Sequence, residues 1–456
     1  MEDTIAAIAT PVGEGGIGII RISGENSKNI LDKLFVTPSD KEIKNRFLTY
    51  GHIVDPESKE IIDEVLAVYM KGPKTYTTED VVEINCHGGV ISLKKVLNLV
   101  LSHGSRIAEP GEFTRRAFLN GRLDLSQAEA VIDVIHAKTD KSFDIAMNQL
   151  QDKFSEIISE IRSKLTDILV DITVNIDYPD EDIEEMTYDK LISGLESVLE
   201  KVDRMIEGSK TGKILREGLN VAIIGKPNVG KSSLMNALLR ESRAIVTEIP
   251  GTTRDTIEEF LSIKGVPIKL TDTAGIRETD DIIEKIGIEK SKKSFEDADL
   301  VIFIIDISRK LEDDDIQILR ELDRSKALIL FNKIDKEQVI SDAEIEEISK
   351  GCPYIKTVLN DSSYSAVIED TIYNLVFDGK VKAEDSMVVS NARHEEALRN
   401  TKNSLADALD AAKCMQPLEF VEIDVSSAYQ SLGLITGDSV REDVIEEVFS
   451  RFCLGK

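Results

Sequence analysis

The chain has 456 residues, and acids outnumber bases 84 to 56, for a formal net charge of −28. With 41% hydrophobic and 31% charged residues it reads as globular rather than disordered, with about three domains at roughly 150 residues each. The acidic balance excludes a protein that coats nucleic acid unaided, because phosphate binding needs clustered Lys and Arg; an enzyme whose partner supplies the basic surface stays open.

Residues 1–118 read as mixed α/β, with β-rich runs at Thr4–Thr10, Gly18–Ser23, Val65–Met70 and Val81–Asn85 and a helix over Ile91–Ser102. Glycines cluster at Gly13, Gly15, Gly16 and Gly18, then at Gly88 and Gly89. Near residue 120 the texture changes. Ser126 and Glu129 are spaced as a capping box. Apolar residues then recur at helical spacing from Val131 to Ile172, which predicts one or two long amphipathic helices ending at Tyr178-Pro179. The acidic stretch Asp180–Glu185 reads as a solvated interhelix loop rather than a metal site. A further helix is expected over Tyr188–Ile206. From Leu219 the pattern becomes βα alternation, with apolar runs Val221–Ile224, Ile268–Leu270, Val301–Ile305 and Ala327–Phe331, as in a doubly wound parallel sheet. Helices return near 392–415, 418–433 and 439–452. The helical segments on either side are expected to pack together, making the α/β region an insertion.

Gly225-Lys226-Pro227-Asn228-Val229-Gly230-Lys231-Ser232 matches GxxxxGK[ST] between a strand and a helix. In such a loop backbone amides wrap phosphates, the helix N-terminus adds positive potential, Lys231 reaches the β and γ phosphates, and Ser232 ligates Mg²⁺. Thr252-Thr253-Arg254-Asp255 offers Thr253 as a second Mg²⁺ ligand. Asp272-Thr273-Ala274-Gly275 follows a strand, so Asp272 can hold Mg²⁺ through water and Gly275 can sense the γ-phosphate. Asn332-Lys333-Ile334-Asp335 selects guanine, because Asp335 can accept from both N1–H and the exocyclic amine. Four such elements in order read as a GTPase. The last guanine-contact loop falls in Asn360–Ala366 with its register open. Ile276 stands where many GTPases place a water-orienting glutamine. Glu284 reads either as the replacement or as an exposed helix acid, and Asn228 either as a ligand for a monovalent cation or as a turn residue.

The four cysteines, Cys86, Cys352, Cys414 and Cys453, form no CxxC pair, so neither a disulfide scaffold nor a cysteine zinc site is expected and a reducing cytoplasm fits. The first residues lack a signal-peptide pattern, and no run of 18 apolar residues predicts a membrane span. On residue type alone, His87 reads as a turn or core histidine and Cys453 as a buried apolar cysteine.

Several further motifs stand together: Ala9-Thr10-Pro11 with the glycine run, Arg21-Ile22-Ser23-Gly24, Pro110-Gly111-Glu112-Phe113-Thr114, and Leu123-Asp124-Leu125-Ser126-Gln127-Ala128-Glu129-Ala130. With the phosphate loop, Gly251-Thr252-Thr253-Arg254-Asp255 and the closing Phe452-Cys453-Leu454-Gly455-Lys456, they resemble the tRNA-modification GTPase MnmE (TrmE) family over the full length. The resemblance implies a folate-binding-like α/β dimerisation domain over 1–118, a helical domain over 119–216 and 380–456, and a Ras-like, doubly wound P-loop GTPase domain inserted at 217–379. It implies a cytoplasmic homodimer working with an FAD-dependent partner subunit, in an expected heterotetramer. The pair would install a (carboxymethyl)aminomethyl group at C5 of the wobble uridine of certain tRNAs. The one-carbon donor would be 5-formyl- or 5,10-methylene-tetrahydrofolate, and the FAD would sit on the partner rather than on this chain.

By position, Arg21, Glu83, Arg122 and Lys456 match the family's folate contacts, and Cys453 matches a cysteine with a proposed role in modification. Asn228, Thr247, Ile249 and Thr252 match potassium ligands, Ser232 and Thr253 match Mg²⁺ ligands, and Glu284 matches the catalytic water-orienting glutamate. The GTP contacts would be Asn228, Val229, Gly230, Lys231, Ser232, Ser233, Thr247, Glu248, Ile249, Pro250, Gly251, Thr252, Thr253, Asp272, Thr273, Ala274, Gly275, Asn332, Lys333 and Asp335. Leu454 departs from the family's commoner isoleucine. The competing readings are a ribosome-assembly or regulatory GTPase switch, against which the acidic helical C-terminal segment counts, and a folate scaffold with a vestigial GTPase, against which Lys231, Ser232, Asp272 and Asp335 count.

Overall fold

The computed structural model describes residues 3–38, 42–177, 188–241, 259–272, 298–377, 389–453 and 455–456. They group into two compact units, one made of Met1–Ile132, Asn148–Met186 and Gln416–Lys456, the other of Asp133–Met147 and Thr187–Met415. Among the described residues no helix is long and apolar enough to cross a membrane.

The first unit holds a seven-stranded sheet. Its strands are β1 (Ile5–Ile8), β2 (Gly18–Ser23), β3 (Phe35–Val36), β4 (Thr49–Val54), β5 (Ile61–Met70), β6 (Val81–Cys86) and β7 (Arg106–Ile107), in the order β3-β4-β5-β6-β2-β1-β7. All neighbours are antiparallel except β1 and β7. Side chains alternate between faces with a period of two. Ile20, Ile22, Val82 and Ile84 therefore bury against Ile30, Leu31 and Leu34 of helix Ser27–Leu34 and Leu93, Val96 and Val100 of helix Val90–Ser102. Each such apolar side chain contributes roughly 1.5–3 kcal/mol when fully buried. The same alternation sends Arg21 and Glu83 to the opposite face, and the register pairs them directly.

The stretch expected as one or two long helices is three: Leu125–His136, Asp140–Leu150 and Lys153–Asp177. Two local devices break it. Thr139 and Ser142 cap the second helix reciprocally, the Thr139 amide donating to Ser142 Oγ at 2.9 Å and the Ser142 amide to Thr139 Oγ1 at 3.2 Å. Asp152 turns the chain in a left-handed conformation, φ 67°. The capping box expected at Ser126 and Glu129 sits two residues earlier. The Gln127 amide donates to Asp124 Oδ1 at 2.8 Å, and the Asp124 amide donates to Gln127 Oε1 at 2.9 Å. Ser126 and Glu129 are both buried within the helix. Helix Leu418–Thr436 packs along Lys153–Asp177, and helix Glu442–Ser450 follows.

In the second unit, helix Tyr188–Glu207 packs along helix Ala392–Lys413, so segments before and after the α/β region do come together. Between them lies a six-stranded sheet of β8 (Leu219–Ile224), β9 (Glu259–Ile263), β10 (Val266–Asp272), β11 (Leu300–Asp306), β12 (Ala327–Asn332) and β13 (Tyr354–Thr357), in the order β13-β12-β11-β8-β10-β9. It is parallel except for β9, an antiparallel edge strand joined to β10 by the tight turn Lys264–Gly265. Both faces are buried, as a parallel sheet requires. Val221, Ile223, Ile302 and Leu330 face helices Lys231–Glu241 and Ser365–Phe377. Ala222, Ile224, Phe303 and Ile329 face helices Asp313–Glu321 and Asp342–Ser349.

Candidate functional site

The central strand β8 ends at Ile224, and the loop that follows reverses into helix Lys231–Glu241 within six residues. Asn228 adopts φ 63°, and Gly230 adopts φ 118°. A Cβ on Gly230 would lie 2.4 Å from Asn332 Nδ2, so only glycine fits. Lys231 lies over the loop, its ammonium donating to the carbonyls of Gly225 at 2.5 Å and Lys226 at 3.0 Å. Ser232 is exposed in the first helical turn, while Val229 is buried beneath. The loop therefore presents a cationic head, helix-terminal amides and a hydroxyl at one place, the donor set of a phosphate and a hard cation.

The end of β12 is tied to this loop. Buried Asn332 donates from Nδ2 to the Val229 carbonyl at 2.6 Å and accepts at Oδ1 from the Leu359 amide at 3.0 Å. Lys333 donates to the Asn228 carbonyl at 2.8 Å and to Asp306 Oδ2 at 2.6 Å. Burial alone would raise the Asp306 carboxyl, but hydrogen bonds from Lys333 and Ser308 outweigh it and hold the group below its ordinary value. Asp335 is exposed at the end of the motif. Strand β13 pairs with β12 in the register Asn332↔Thr357 and the Leu359 amide reaches Asn332, so the chain that leads into Asn360–Ala366, the expected guanine-contact loop, leaves the sheet beside Asn332. Two ties were not read from sequence. Asp306 terminates β11, and Lys226 Nζ contacts Glu312 Oε2 at 2.6 Å, fixing the loop's second residue to the start of helix Asp313–Glu321. No motif marks either one.

Glu284, Ile276, Thr247, Glu248, Ile249, Pro250, Gly251, Thr252, Thr253, Thr273, Ala274 and Gly275 lie outside the described residues, as does the acidic stretch Asp180–Glu185. Asp272 closes β10, beside the phosphate-loop strand in the sheet.

A second site forms in the first unit, on the face of β2 and β6 opposite the two helices. Arg21 Nη2 lies 2.8 Å from Glu83 Oε1, with both side chains about four-fifths buried at 17% and 23% exposure. The Arg21 guanidinium lies 5.6 Å from the Tyr76 ring and 5.8 Å from the Phe113 ring. The Arg122 guanidinium lies 4.7 Å from the same Tyr76 ring and donates to the Tyr76 carbonyl at 3.0 Å. Cation–ring contacts are worth about 0.5–1 kcal/mol at an exposed site such as that of Arg122 and up to about 2 kcal/mol at a buried one such as that of Arg21. The far end of the chain arrives here too. Phe449 and Phe452 bury against Leu125 and Ala128, and the Cys453 carbonyl accepts from the Gly111 amide at 3.4 Å. Gly455 then presses onto β1 so closely that a Cβ would meet the Ile8 carbonyl at 2.2 Å. Its own carbonyl lies 3.5 Å from Arg21 Nη1.

Tyr76 is the residue the sequence reading missed, because nothing near it in sequence signals its role. It is held by its hydroxyl, 2.9 Å from Thr114 Oγ1, and by an ion network under its loop. Arg116, with a side chain 9% exposed, donates to Glu79 at 3.0 Å, to Glu112 at 3.0 Å and to Asp3 at 2.9 Å. Arg106 joins Glu112 and Asp3. Burial alone would raise the Glu112 carboxyl, yet hydrogen bonds from Arg106, the Glu109 amide and Arg116 hold it below its ordinary value.

One of the two residue-type expectations is corrected and the other is sharpened. Cys453 is exposed rather than buried, because Phe452 takes the apolar position and turns the next side chain outward. His87 lies in the short connection 87–89 between β6 and helix Val90–Ser102, so of the two readings, turn or core, the turn holds. It is exposed, with Nδ1 2.6 Å from Asp63 Oδ1, and this hydrogen bond raises its pKa.

The family model described as the MnmE helical domain matches residues 125–453, and that of the GTP-binding protein TrmE N-terminus matches residues 4–122. The tRNA modification GTPase MnmE of Alkaliphilus metalliredigens is 53% identical over 459 residues, covering 100% of both chains. Those of Clostridioides difficile and Bacillus subtilis are 52% and 45% identical, each again covering 100% of both chains. The two family models together span residues 4–453, and with relatives 45–53% identical over the full length they lead to one conclusion: this chain belongs to the tRNA modification GTPase MnmE family.

Proposed function

We propose that this GTPase acts as a potassium-stimulated homodimer in the cytoplasm. With an FAD-dependent partner subunit it adds a (carboxymethyl)aminomethyl group to C5 of the wobble uridine of certain tRNAs, taking the one-carbon unit from a tetrahydrofolate. The observation that supports this most is the meeting of Arg21, Glu83, Tyr76, Arg122 and Gly455 on one face of a sheet. A carboxylate beside a guanidinium matches the paired donor and acceptor edge of a pterin, and the stacked cations match an anionic tail. Lys456 and Cys453 flank the Gly455 contact and would line the same site.

In the GTPase unit, Lys231 would neutralise charge on the transferred phosphoryl group and Asp335 would accept from guanine. Mg²⁺ held by Ser232 and Thr253, and K⁺ held by Asn228, Thr247, Ile249 and Thr252, would supply positive charge at the phosphates. Glu284 would orient the attacking water. Closing of paired GTPase units would gate the modification site.

Mass spectrometry of wobble nucleosides from cells lacking the chain tests the whole reading. The modified uridine should disappear and return with the wild-type gene. Unchanged uridine would favour a regulatory or ribosome-assembly GTPase. Equal GTPase rates in K⁺ and Na⁺ would remove the cation assignment alone.

A further inference from the structure

A shallow, open cavity of about 630 Å³ lies in the first unit beside Tyr76. Three cations, Arg46, Lys74 and Arg122, line it together with Tyr76, Asn120 and Thr78, and none of its described lining residues is acidic. That is unusual in a chain with 28 more acids than bases. Two of the cations are held by backbone carbonyls rather than by carboxylates. Arg46 donates to the Lys74 carbonyl and Arg122 to the Tyr76 carbonyl. A carbonyl orients a guanidinium without neutralising it, so the full positive charge stays available. Asn120 is fixed likewise, its amide donating to the Thr77 carbonyl at 2.7 Å.

Tyr76 belongs to this cavity and also to the Arg21–Glu83 cluster. Tyr76 is the side chain common to both, so a ligand whose ring system engaged Arg21 and Glu83 would reach Arg122, Arg46 and Lys74 by running past Tyr76. We infer that this cavity is a tail subsite for a folate carrying more than one γ-linked glutamate, with Arg46 and Lys74 reading the carboxylates beyond the first. The inference rests on the folate reading above and extends it to two residues that reading does not use. Three cations grouped on one shallow, open depression suit a short flexible polyacid better than a nucleic-acid backbone, which needs a continuous basic track.

The test is calorimetric titration of the full chain with 5-formyl-tetrahydrofolate in its monoglutamate and triglutamate forms, at low and at high salt. The triglutamate should bind about three- to tenfold tighter, as expected for two partly exposed ion pairs, and the difference should shrink with salt. Arg46→Gln and Lys74→Gln should each remove about half of that preference on a logarithmic scale, and the double variant most of it, while leaving the monoglutamate affinity within about twofold. Because Arg46 also bonds to the Lys74 backbone, Lys74→Gln is the variant least able to disturb the fold, and thermal melts check both. Equal affinity for the two forms, or equal weakening of both by the variants, would overturn the tail subsite and leave the folate site standing. Failure of either form to bind would remove the folate reading and the tail with it. If the variants weaken tRNA binding and leave the glutamate preference untouched, the cavity serves RNA instead.

Discussion

The phosphate loop and the Tyr76 cluster are built in opposite ways. The first is eight consecutive residues shaped by backbone, clamped from behind by Asn332 and Lys333. The second is a set of side chains from β2, β6, the loop before β6, the turn after helix Glu112–Leu119 and the far end of the chain, with 434 positions between Arg21 and Gly455. A backbone site is sensitive to one added methyl group. A side-chain site assembled from distant segments depends on the packing that delivers each segment.

That contrast can be broken by choosing variants that harm one site only. The largest effect is expected from Arg116→Met. It leaves Glu79 and Glu112 short of a partner in a buried network, where removing one member costs about 3–5 kcal/mol. Urea unfolding should show a transition shifted by that amount, with GTP binding retained once folded. The same network sets an acid limit. Glu112 has its carboxyl held below its ordinary value of 4.5, so its contribution is present above that pH and is lost as pH falls through the lowered folded value. Glu112→Gln should flatten this acid limb, and an unchanged melting profile from pH 3 to 6 would contradict the assignment.

Next in size is Gly230→Ala. The added methyl collides with Asn332 and displaces the loop, and displacement of catalytic groups by about 1 Å costs roughly 100-fold in rate. GTP hydrolysis should fall by about that factor while binding at the proposed folate site is unchanged. A parallel loss of both would show that the two sites share a support. The smallest effect is expected from Tyr76→Phe, which keeps the ring between Arg21 and Arg122 and removes only the hydroxyl contact to Thr114, worth about 1 kcal/mol. Folate affinity should change by less than about fivefold, whereas Tyr76→Ala should lower it much further.

What could be read in advance follows the same division. The phosphate loop, Asn332-Lys333-Ile334-Asp335 and β2 at Gly18–Ser23 are local patterns, and period-two alternation alone puts Arg21 and Glu83 opposite the apolar face. The run from Leu125 to Asp177 was harder. Its apolar spacing continues through the breaks at Thr139 and Asp152, which are made by a side-chain cap and one left-handed residue. Asp124 took the cap expected of Ser126, because two residue pairs had capping-box spacing and only packing decided between them. Strand β4 at Thr49–Val54, helix Ser27–Leu34, Tyr76 and Arg116 went unread, since each draws its role from partners remote in sequence.

The seat of Gly455 on Ile8 has a consequence in time. During synthesis, β2 and β6 can pair and Arg21 can find Glu83 as soon as the first unit's sheet has emerged. The carbonyl beside Arg21 is made about 350 residues after Ile107 closes the sheet's last strand, which at about 5–20 residues per second is roughly 17 to 70 s. Throughout that interval the sheet exists with one wall of its cluster missing, and on that face Ile5, Ala7, Ala108 and Phe113, with Tyr76 against them, pack without the last residues. The nascent chain therefore carries a half-built pocket while the entire GTPase unit is translated. The packing of Phe449 and Phe452 is the event that completes it.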